Sequence, residues 1–128
     1  MKPRIAIVDD DSIFQFSTKV KIQKLELASE IIIFNDCEEI LEFLKSDKKK
    51  SSIDIILLDI NMPMLDGWDF LEEYAKLQVE NDLHHTIYML SSSINPVDVE
   101  KAKNNKWVED YIIKPIKDED LGKIFKTK

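Results

Sequence analysis

Short apolar runs alternate along the chain with segments in which apolar residues recur at helical spacing. Five of these runs are rich in Ile, Val and Leu and are bounded by polar or turn-forming residues, as strands are. They cover residues 4–9, 30–34, 54–59, 86–91 and 110–113. Continuous apolar runs are typical of parallel strands that helices cover on both faces. The pattern therefore predicts an α/β fold built from five strand and helix pairs.

Helix starts are signalled by residues that can satisfy free backbone N–H groups. Ser12 and Asp36 each stand three positions before a Gln or a Glu, which is the spacing of a capping box. Asn95 precedes a proline, which fits the first turn of a helix because its missing N–H is not needed there. Asp118 is the predicted cap of a short last helix. These signals place helix starts directly after strand ends.

Composition and charge limit the classes of function. The chain has 128 residues, of which 44% are hydrophobic and 34% are charged, so we expect one domain spanning 1–128. Its net charge of -7 is opposite in sign to what direct nucleic-acid binding requires. No stretch approaches the roughly 20 apolar residues of a membrane span, and no signal peptide is visible. We therefore expect a cytoplasmic protein without membrane insertion.

Three features are predicted to carry no chemistry. Cys37 is the single cysteine, so it cannot form an internal disulfide, and its apolar neighbours indicate a half-buried helix position. The basic run at 48–52 is interpreted as a solvated loop. His84 and His85 lie in a polar connection without zinc-ligand spacing around them, which favours an exposed loop.

The polar residues that end the apolar runs form a recurring set. Asp9 and Asp10 follow the first run, Asp59 ends the third, Ser91 ends the fourth, and Lys114 follows the last. Because the carboxyl ends of parallel strands open onto one crevice, we expect these side chains to meet there. The alternative, that the acids from Asp9 onward only cap the first helix, is less favoured because Ser12 is predicted to do so.

The chemistry of this set favours phosphoryl transfer. Asp9 and Asp10 near Asp59 would repel each other unless a cation neutralised them, and Mg²⁺ prefers such oxygen ligands. Asp59 ends the most apolar strand and is the best-placed nucleophile, because carboxylate attack on phosphorus gives an aspartyl phosphate. Ser91 can donate a hydrogen bond to a phosphoryl oxygen, and Lys114 can supply positive charge.

Four motifs at these positions resemble those of one family. They are Ile-Val-Asp-Asp-Asp (7–11), Leu-Leu-Asp-Ile-Asn-Met-Pro-Met-Leu-Asp-Gly (57–67), Met-Leu-Ser-Ser (89–92) and Tyr-Ile-Ile-Lys-Pro (111–115). Together they resemble the receiver domain of two-component response regulators, of the single-domain chemotaxis or phosphorelay type. The resemblance implies a flavodoxin-like three-layer sandwich, with a five-stranded parallel sheet of order 2-1-3-4-5 and five helices. It also implies a single receiver domain over 1–128 without an output domain.

The resemblance further implies that Asp59 accepts a phosphoryl group from a phosphohistidine of a sensor histidine kinase or a histidine phosphotransfer protein. Magnesium, or manganese in its place, would be held by Asp10, Asp59 and the main-chain carbonyl of Asn61, and by Asp9 through water. The chain would then be a phosphoacceptor signalling domain rather than an enzyme, catalysing at most its own phosphorylation and dephosphorylation.

The output of such a domain depends on a switch. By the resemblance, Ser91 would bond the phosphoryl group, Lys114 would pair with it, and Tyr111 would turn inward as the aromatic switch residue. Tyr111 as an ordinary strand aromatic is the alternative. The signal would pass from the fourth helix, fifth strand and fifth helix to a downstream protein target or by onward phosphoryl transfer. The protein would be a monomer or a phosphorylation-dependent dimer.

The first predicted helix carries more apolar residues than one face can bury. One stripe at helical spacing consists of Phe14, Thr18, Ile22 and Leu25, and a second flank consists of Ile13, Phe16 and Val20. Two hypotheses remain open for Phe16 and Val20. They either form an apolar patch where helices of a kinase or phosphotransfer protein dock, or they belong to the core.

Two competing functions also remain open. A haloacid-dehalogenase-type phosphatase would use Asp9 as its nucleophile within the run Asp9-Asp10-Asp11, but it would leave the motif after Asp59 unexplained. A receiver-like module that acts only by binding other proteins would not need the full acidic cluster together with Lys114. A receiver domain that accepts a phosphoryl group accounts for the acidic cluster, for the motif at Asp59 and for Lys114.

Overall fold

The computed structural model describes residues 2–46, 53–81 and 85–125. Strands and helices alternate throughout these ranges. In chain order they are β1 (Arg4–Val8), α1 (Ser12–Lys24), β2 (Glu30–Phe34), α2 (Cys37–Ser46), β3 (Ile55–Asp59), α3 (Gly67–Asn81), β4 (Thr86–Ser91), α4 (Pro96–Asn104), β5 (Val108–Ile113) and α5 (Asp118–Ile124). The predicted loop at 48–52 and His84 lie outside the described residues.

The five strands form one parallel sheet in the order β2-β1-β3-β4-β5, which confirms the predicted fold. β3 lies at the centre, and all five of its residues are buried. β1 and β4 pair with β3 without a register shift, so that Ile5 lies opposite Ile55 and Leu90 lies opposite Asp59. The last strand begins at Val108, two residues before its predicted start. Asp59 therefore ends the most protected strand of the sheet.

Two hydrophobic layers cover the sheet. Ile5 and Ile7 of β1 pack with the apolar residues of α1 and α5, whereas Ala6 and Val8 pack with those of α2 and α3. This alternation is what successive side chains of a strand produce when both faces are covered. α4 contacts β5 at the edge of the sheet, and Ala102 is its buried residue.

Two of the predicted helix caps are wrong. Asp11, not Ser12, caps α1: its Oδ1 accepts hydrogen bonds from the N–H groups of Ile13 and Phe14 at 3.0 and 3.3 Å. Asp11 is extended, whereas Ser12 is already the first helical residue, so only Asp11 has the geometry of a cap. At the last helix Lys117 holds the cap position and Asp118 is the first helical residue.

The other two predicted caps are confirmed. Asn95 Oδ1 accepts a hydrogen bond from the N–H of Val97 at 2.9 Å, and α4 begins at the following proline. Asp36 Oδ1 accepts a hydrogen bond from the N–H of Glu39 at 2.9 Å, at the start of α2. Both helices therefore begin directly after a loop that follows a strand end.

The two apolar stripes of α1 have different environments. Phe14, Thr18 and Ile22 are buried, which confirms most of the first stripe. Leu25 is 51% exposed because it lies at the C-cap, past the last helical residue, where the chain has left the sheet. On the second flank Phe16 is 70% exposed and Val20 39% exposed, so the core hypothesis for this pair is wrong.

Cys37 and His85 are both less exposed than their sequence context indicated. Cys37 is fully buried, and burial raises the pKa of its thiol to about 12, so it has a structural role.

His85 is half-buried rather than exposed, and its Nδ1 lies 2.9 Å from the hydroxyl oxygen of Tyr74. The histidine is held against α3 by this hydrogen bond and by an edge contact between the two rings.

Candidate functional site

The carboxyl ends of four strands bring the predicted polar residues to one edge of the sheet. Asp9 follows β1, Asp59 ends β3, Ser91 ends β4 and Lys114 follows β5. Asp9, Asp59 and Ser91 are 0%, 4% and 1% exposed, whereas Asp10 is open to solvent. The site therefore has a buried interior of two carboxylates and a hydroxyl, with one carboxylate at its entrance.

Lys114 is the cation of this site. Its Nζ donates a hydrogen bond to Asp9 Oδ2 at 2.8 Å and lies 3.5 Å from Asp59 Oδ1. The same ammonium lies 4.7 Å from the centre of the Phe14 ring. Burial acts to lower the pKa of Lys114, but the hydrogen bond to Asp9 and the charge of Asp59 outweigh it and raise that pKa. Lys114 therefore remains positively charged at neutral pH.

Asp59 has a perturbed acidity. Burial and the nearby charge of Asp9 raise its pKa to about 6, against the opposing effect of Lys114. The N–H of Asn61 also lowers it, through a hydrogen bond to Asp59 Oδ1 at 3.4 Å. The Asp59 carboxylate is thus held in an environment with too little positive charge to balance it fully.

The three carboxylates can hold a metal ion. One carboxylate oxygen from each of Asp9, Asp10 and Asp59 lies within 4.8 Å of the other two. Hard oxygen donors of this kind suit a hard divalent cation such as Mg²⁺. Within the described part of the chain, these three negative charges face the positive charge of Lys114, so a divalent cation would bring the cluster close to neutrality. The residues present therefore fit a metal of this class.

Ser91 and Tyr111 share one hydrogen-bond acceptor. Ser91 Oγ donates to the main-chain oxygen of Ser93 at 3.0 Å, and the Tyr111 hydroxyl donates to the same oxygen at 3.1 Å. The N–H of Ser93 donates back to Ser91 Oγ at 3.3 Å. The loop after β4 therefore connects the buried hydroxyl of the site to the half-buried aromatic residue of β5.

Two supporting residues were not recognised from the sequence. Gln15 Nε2 donates a hydrogen bond to the main-chain oxygen of Asp9 at 2.6 Å, which fixes the turn that carries the acidic pair. Gly67 packs so closely that an added Cβ would lie 3.0 Å from Ile60 Cα and 3.2 Å from the Asp59 carbonyl oxygen. The glycine that ends the motif at 57–67 was a signal for the second, but its close approach to the end of β3 depends on the fold.

A model of the response regulator receiver domain matches residues 5–126. The chain belongs to the receiver domain family. A receiver domain is a phosphoacceptor signalling module. Because the chain belongs to the receiver domain family, the alternative hypothesis of a haloacid-dehalogenase-type phosphatase with Asp9 as its nucleophile is not supported.

Curated relatives and solved structures agree with this assignment. The chain is 29% identical over 122 residues to the two-component response regulator ARR14 of Arabidopsis thaliana, covering 95% of this chain and 30% of the relative. A two-component response regulator from Cytophaga hutchinsonii is 26% identical, with a TM-score of 0.87 over 98% of this receiver and 96% of that chain. Vibrio cholerae chemotaxis protein CheY4 has the same fold, with 24% identity and a TM-score of 0.72 over 96% and 95% of the two chains.

The receiver spans less than two thirds of the length of its first curated relatives, 30% in ARR14 and 54% in ORR1 of Oryza sativa subsp. indica. Among the residues that the structure describes, no helix is both long and apolar enough to cross a membrane.

Proposed function

We propose that Asp59 is the phosphoacceptor of this receiver and takes its phosphoryl group from a phosphohistidine of a histidine kinase or a histidine phosphotransfer protein. The observation that carries the proposal is the convergence of buried Asp59 with two further carboxylates and the ammonium of Lys114. An oxygen of Asp59 attacks phosphorus, the new P–O bond forms, and the P–N bond breaks. The donor ring carries a proton on its other nitrogen, and the electron pair of the broken bond stays with the nitrogen that held phosphorus. The histidine therefore leaves as neutral imidazole and Asp59 becomes an aspartyl phosphate.

The other strand-end residues stabilise the transferred group. Lys114 already lies 3.5 Å from Asp59 Oδ1, so its charge is available to a phosphoryl oxygen on that carboxylate. Ser91 donates its hydrogen bond to a phosphoryl oxygen after giving up the main-chain oxygen of Ser93. Tyr111 shares that acceptor, so it acts as the switch residue that senses the change in the loop.

Magnesium is the proposed cofactor, and manganese can replace it. Asp10, Asp59 and the main-chain carbonyl of Asn61 would hold it, with Asp9 contributing through water. When bound, the ion neutralises charge on the phosphoryl oxygens. The carboxylate cluster supports this assignment, as does a receiver domain of the histidine kinase CKI1 from Arabidopsis thaliana, which was crystallised with Mg²⁺ and BeF₃⁻ and has the same fold (TM-score 0.70, 20% identity, covering 84% and 80% of the two chains).

The exposed flank of α1 is the proposed docking surface for the phosphodonor protein. Ile13, Phe16 and Val20 are 79%, 70% and 39% exposed, and α1 begins at Ser12, with only its cap Asp11 between the helix and Asp10. A helix of the donor that packs on this flank would bring its histidine to the entrance of the site. On the output side, α4, β5 and α5 would bind a downstream protein target.

Intact-mass measurement and peptide mapping test the proposed function. The receiver is incubated with acetyl phosphate and Mg²⁺, with EDTA in a control sample and Asp59→Asn as the control variant. We expect one Mg²⁺-dependent phosphoryl adduct that maps to Asp59. An adduct on Asp9, or equal labelling of Asp59→Asn, would contradict the assignment. If acetyl phosphate and a panel of phosphorylated histidine kinases all fail to label the chain, the receiver acts by binding alone.

A further inference from the structure

Trp68 connects two helices that flank the site. It is the second residue of α3, and its indole Nε1 donates a hydrogen bond to Asp98 Oδ1 of α4 at 3.1 Å. The ammonium of Lys101, one helical turn further along α4, lies 5.0 Å from the centre of the indole ring. We call these contacts of Trp68 with Asp98 and Lys101 the Trp68 clamp. One side chain thus makes a hydrogen bond and a cation–π contact with the same helix.

α4 contributes little apolar surface to the core. Ala102 is the one buried residue of this helix, and the apolar Val97 is 65% exposed. A groove of about 820 Å³ separates α4 from α3 and is lined by residues of both helices and by Trp107. A helix that buries so little apolar surface depends on its few specific contacts to stay in place. The Trp68 clamp therefore fixes the α3 side of α4, while the packing of α4 on β5 holds its other side.

Both helices joined by the Trp68 clamp are connected to the site by short stretches of chain. On the α3 side, Trp68 follows Gly67, whose N–H donates to the Ile60 main-chain oxygen at 2.9 Å and whose Cα faces the Asp59 carbonyl. On the α4 side, the chain passes from Ser91 through the loop to the helix that carries Asp98. A movement of the loop after β4 toward the Asp59 carboxylate therefore displaces one partner of the clamp relative to the other.

We propose that the Trp68 clamp is a regulatory contact that holds α4 in the arrangement in which Ser91 is bonded to Ser93, and that it opens when Ser91 turns to a phosphoryl group on Asp59. This inference rests on the proposed function. Because coupling between two sites is reciprocal, phosphorylation weakens the clamp, and removal of the clamp favours phosphorylation to the same extent. Trp68 is not one of the residues proposed to hold the phosphoryl group or the metal.

Hydrogen exchange tests the clamp without any phosphorylation. In Trp68→Phe, which keeps an aromatic ring but loses the N–H donor, we expect the α4 amides to exchange roughly fivefold faster, in keeping with the loss of about 1 kcal/mol. Asp98→Ala should have the same effect, whereas Asp98→Asn, which keeps the acceptor oxygen, should retain most of the protection. Trp107→Phe is the matched control. Unchanged α4 exchange in both Trp68→Phe and Asp98→Ala would overturn the proposal.

Tryptophan fluorescence and intact-mass measurement then test the coupling between phosphorylation of Asp59 and opening of the Trp68 clamp. The chain has two tryptophans, so Trp107→Phe leaves Trp68 as the single indole reporter. We expect its emission to change when acetyl phosphate and Mg²⁺ produce the Asp59 adduct, and we expect Trp68→Phe to reach a larger equilibrium phosphorylated fraction than Trp107→Phe at the same subsaturating concentration of acetyl phosphate. A complete adduct with unchanged Trp68 emission and equal phosphorylated fractions would overturn the clamp while leaving the phosphoacceptor intact. Absence of any adduct from acetyl phosphate or from a kinase would overturn the proposed function, and the regulatory role of the clamp with it.

Discussion

The ammonium of Lys114 lies 2.8 Å from the carboxylate of Asp9, although 105 positions separate the two residues in the chain. This ion pair joins the end of the edge strand β5 to the end of β1, and only 14% of the Lys114 side chain is exposed. It also sets the charge balance around Asp59, since Lys114 is a cation within 4 Å of that carboxylate. Stability and acidity at this site are therefore linked through one amino group.

Lys114→Ala should destabilise the fold, because it leaves the buried carboxylates of Asp9 and Asp59 without their cation. We expect a loss of about 2 kcal/mol in the free energy of unfolding at pH 7, measured with denaturant, and partial recovery when Mg²⁺ is added. Lys103→Ala, on the exposed face of α4, is the control and should change stability by less than about 0.5 kcal/mol. Equal stability of the two variants would contradict the importance of the ion pair.

Asp59→Asn should stabilise the metal-free protein at neutral pH. The pKa of Asp59 is about 6 in the folded chain against 3.8 for the ordinary group, so the folded state binds the extra proton between these values. The contribution of Asp59 to the stability of the native chain therefore falls as pH rises from about 4 to 6, by an amount on the order of 3 kcal/mol. The uncharged amide avoids that loss.

Denaturant unfolding from pH 4 to pH 8 measures this effect. The advantage of Asp59→Asn over the native protein should be small at pH 4, grow through pH 6 and level off above it. Addition of Mg²⁺ should stabilise the native protein more than Asp59→Asn at pH 8, because the ion binds the carboxylate form. An advantage that does not vary with pH would show that the acidity of Asp59 is not perturbed.

Gly67→Ala should disturb both stability and the site. The added methyl group would lie 2.9 Å from Met89 Cε and 3.0 Å from Ile60 Cα, so the start of α3 must move away from the end of β3. We expect a loss of about 1–3 kcal/mol in thermal or denaturant unfolding. Gly122→Ala in α5 is the matched control: its methyl group meets no atom within 4 Å, and it should stabilise the helix by about 0.5–1 kcal/mol. Similar losses in the two variants would contradict the argument from close packing.

Phe16→Ala should separate partner recognition from chemistry. Its ring is 70% exposed, so we expect unfolding to change by less than about 0.5 kcal/mol. Phosphoryl transfer from a kinase or phosphotransfer protein should slow about tenfold, whereas labelling by acetyl phosphate should be unchanged. Leu25→Ala, at the opposite end of α1 and also exposed, should leave both rates as they are. Normal transfer to Phe16→Ala would rule out the docking surface.

The sequence predicted the parts of this molecule that depend on strand pattern. Apolar runs that end on Asp59 and Ser91 placed both residues at one edge because parallel topology leaves few other arrangements. The cap of α1 was wrongly placed at Ser12 because Asp11 and Ser12 are both good capping residues, and only the backbone angles distinguish them.

Contacts between helices were beyond the reach of sequence pattern. The bond from Trp68 to Asp98 joins two half-buried residues 30 positions apart, and neither lies in a motif of the site. His85 was interpreted as exposed because its neighbours in sequence are polar, whereas its environment is set by Tyr74 on another element. Such contacts depend on how helices rest on the sheet, which periodicity alone does not determine.

The site is assembled from four separate strand ends, so neither the part of the chain before α3 nor the part after it contains the whole site. Asp9, Asp10 and Asp59 all precede α3, whereas Ser91 and Lys114 both follow it. A chain divided within the connection after α3 would give one piece with Asp59 and its acidic neighbours and another with the hydroxyl and the ammonium. With Asp59 as the proposed phosphoacceptor, two such pieces fused to interacting proteins would regain phosphorylation only on reassembly, which would make the receiver a basis for a split reporter of protein association.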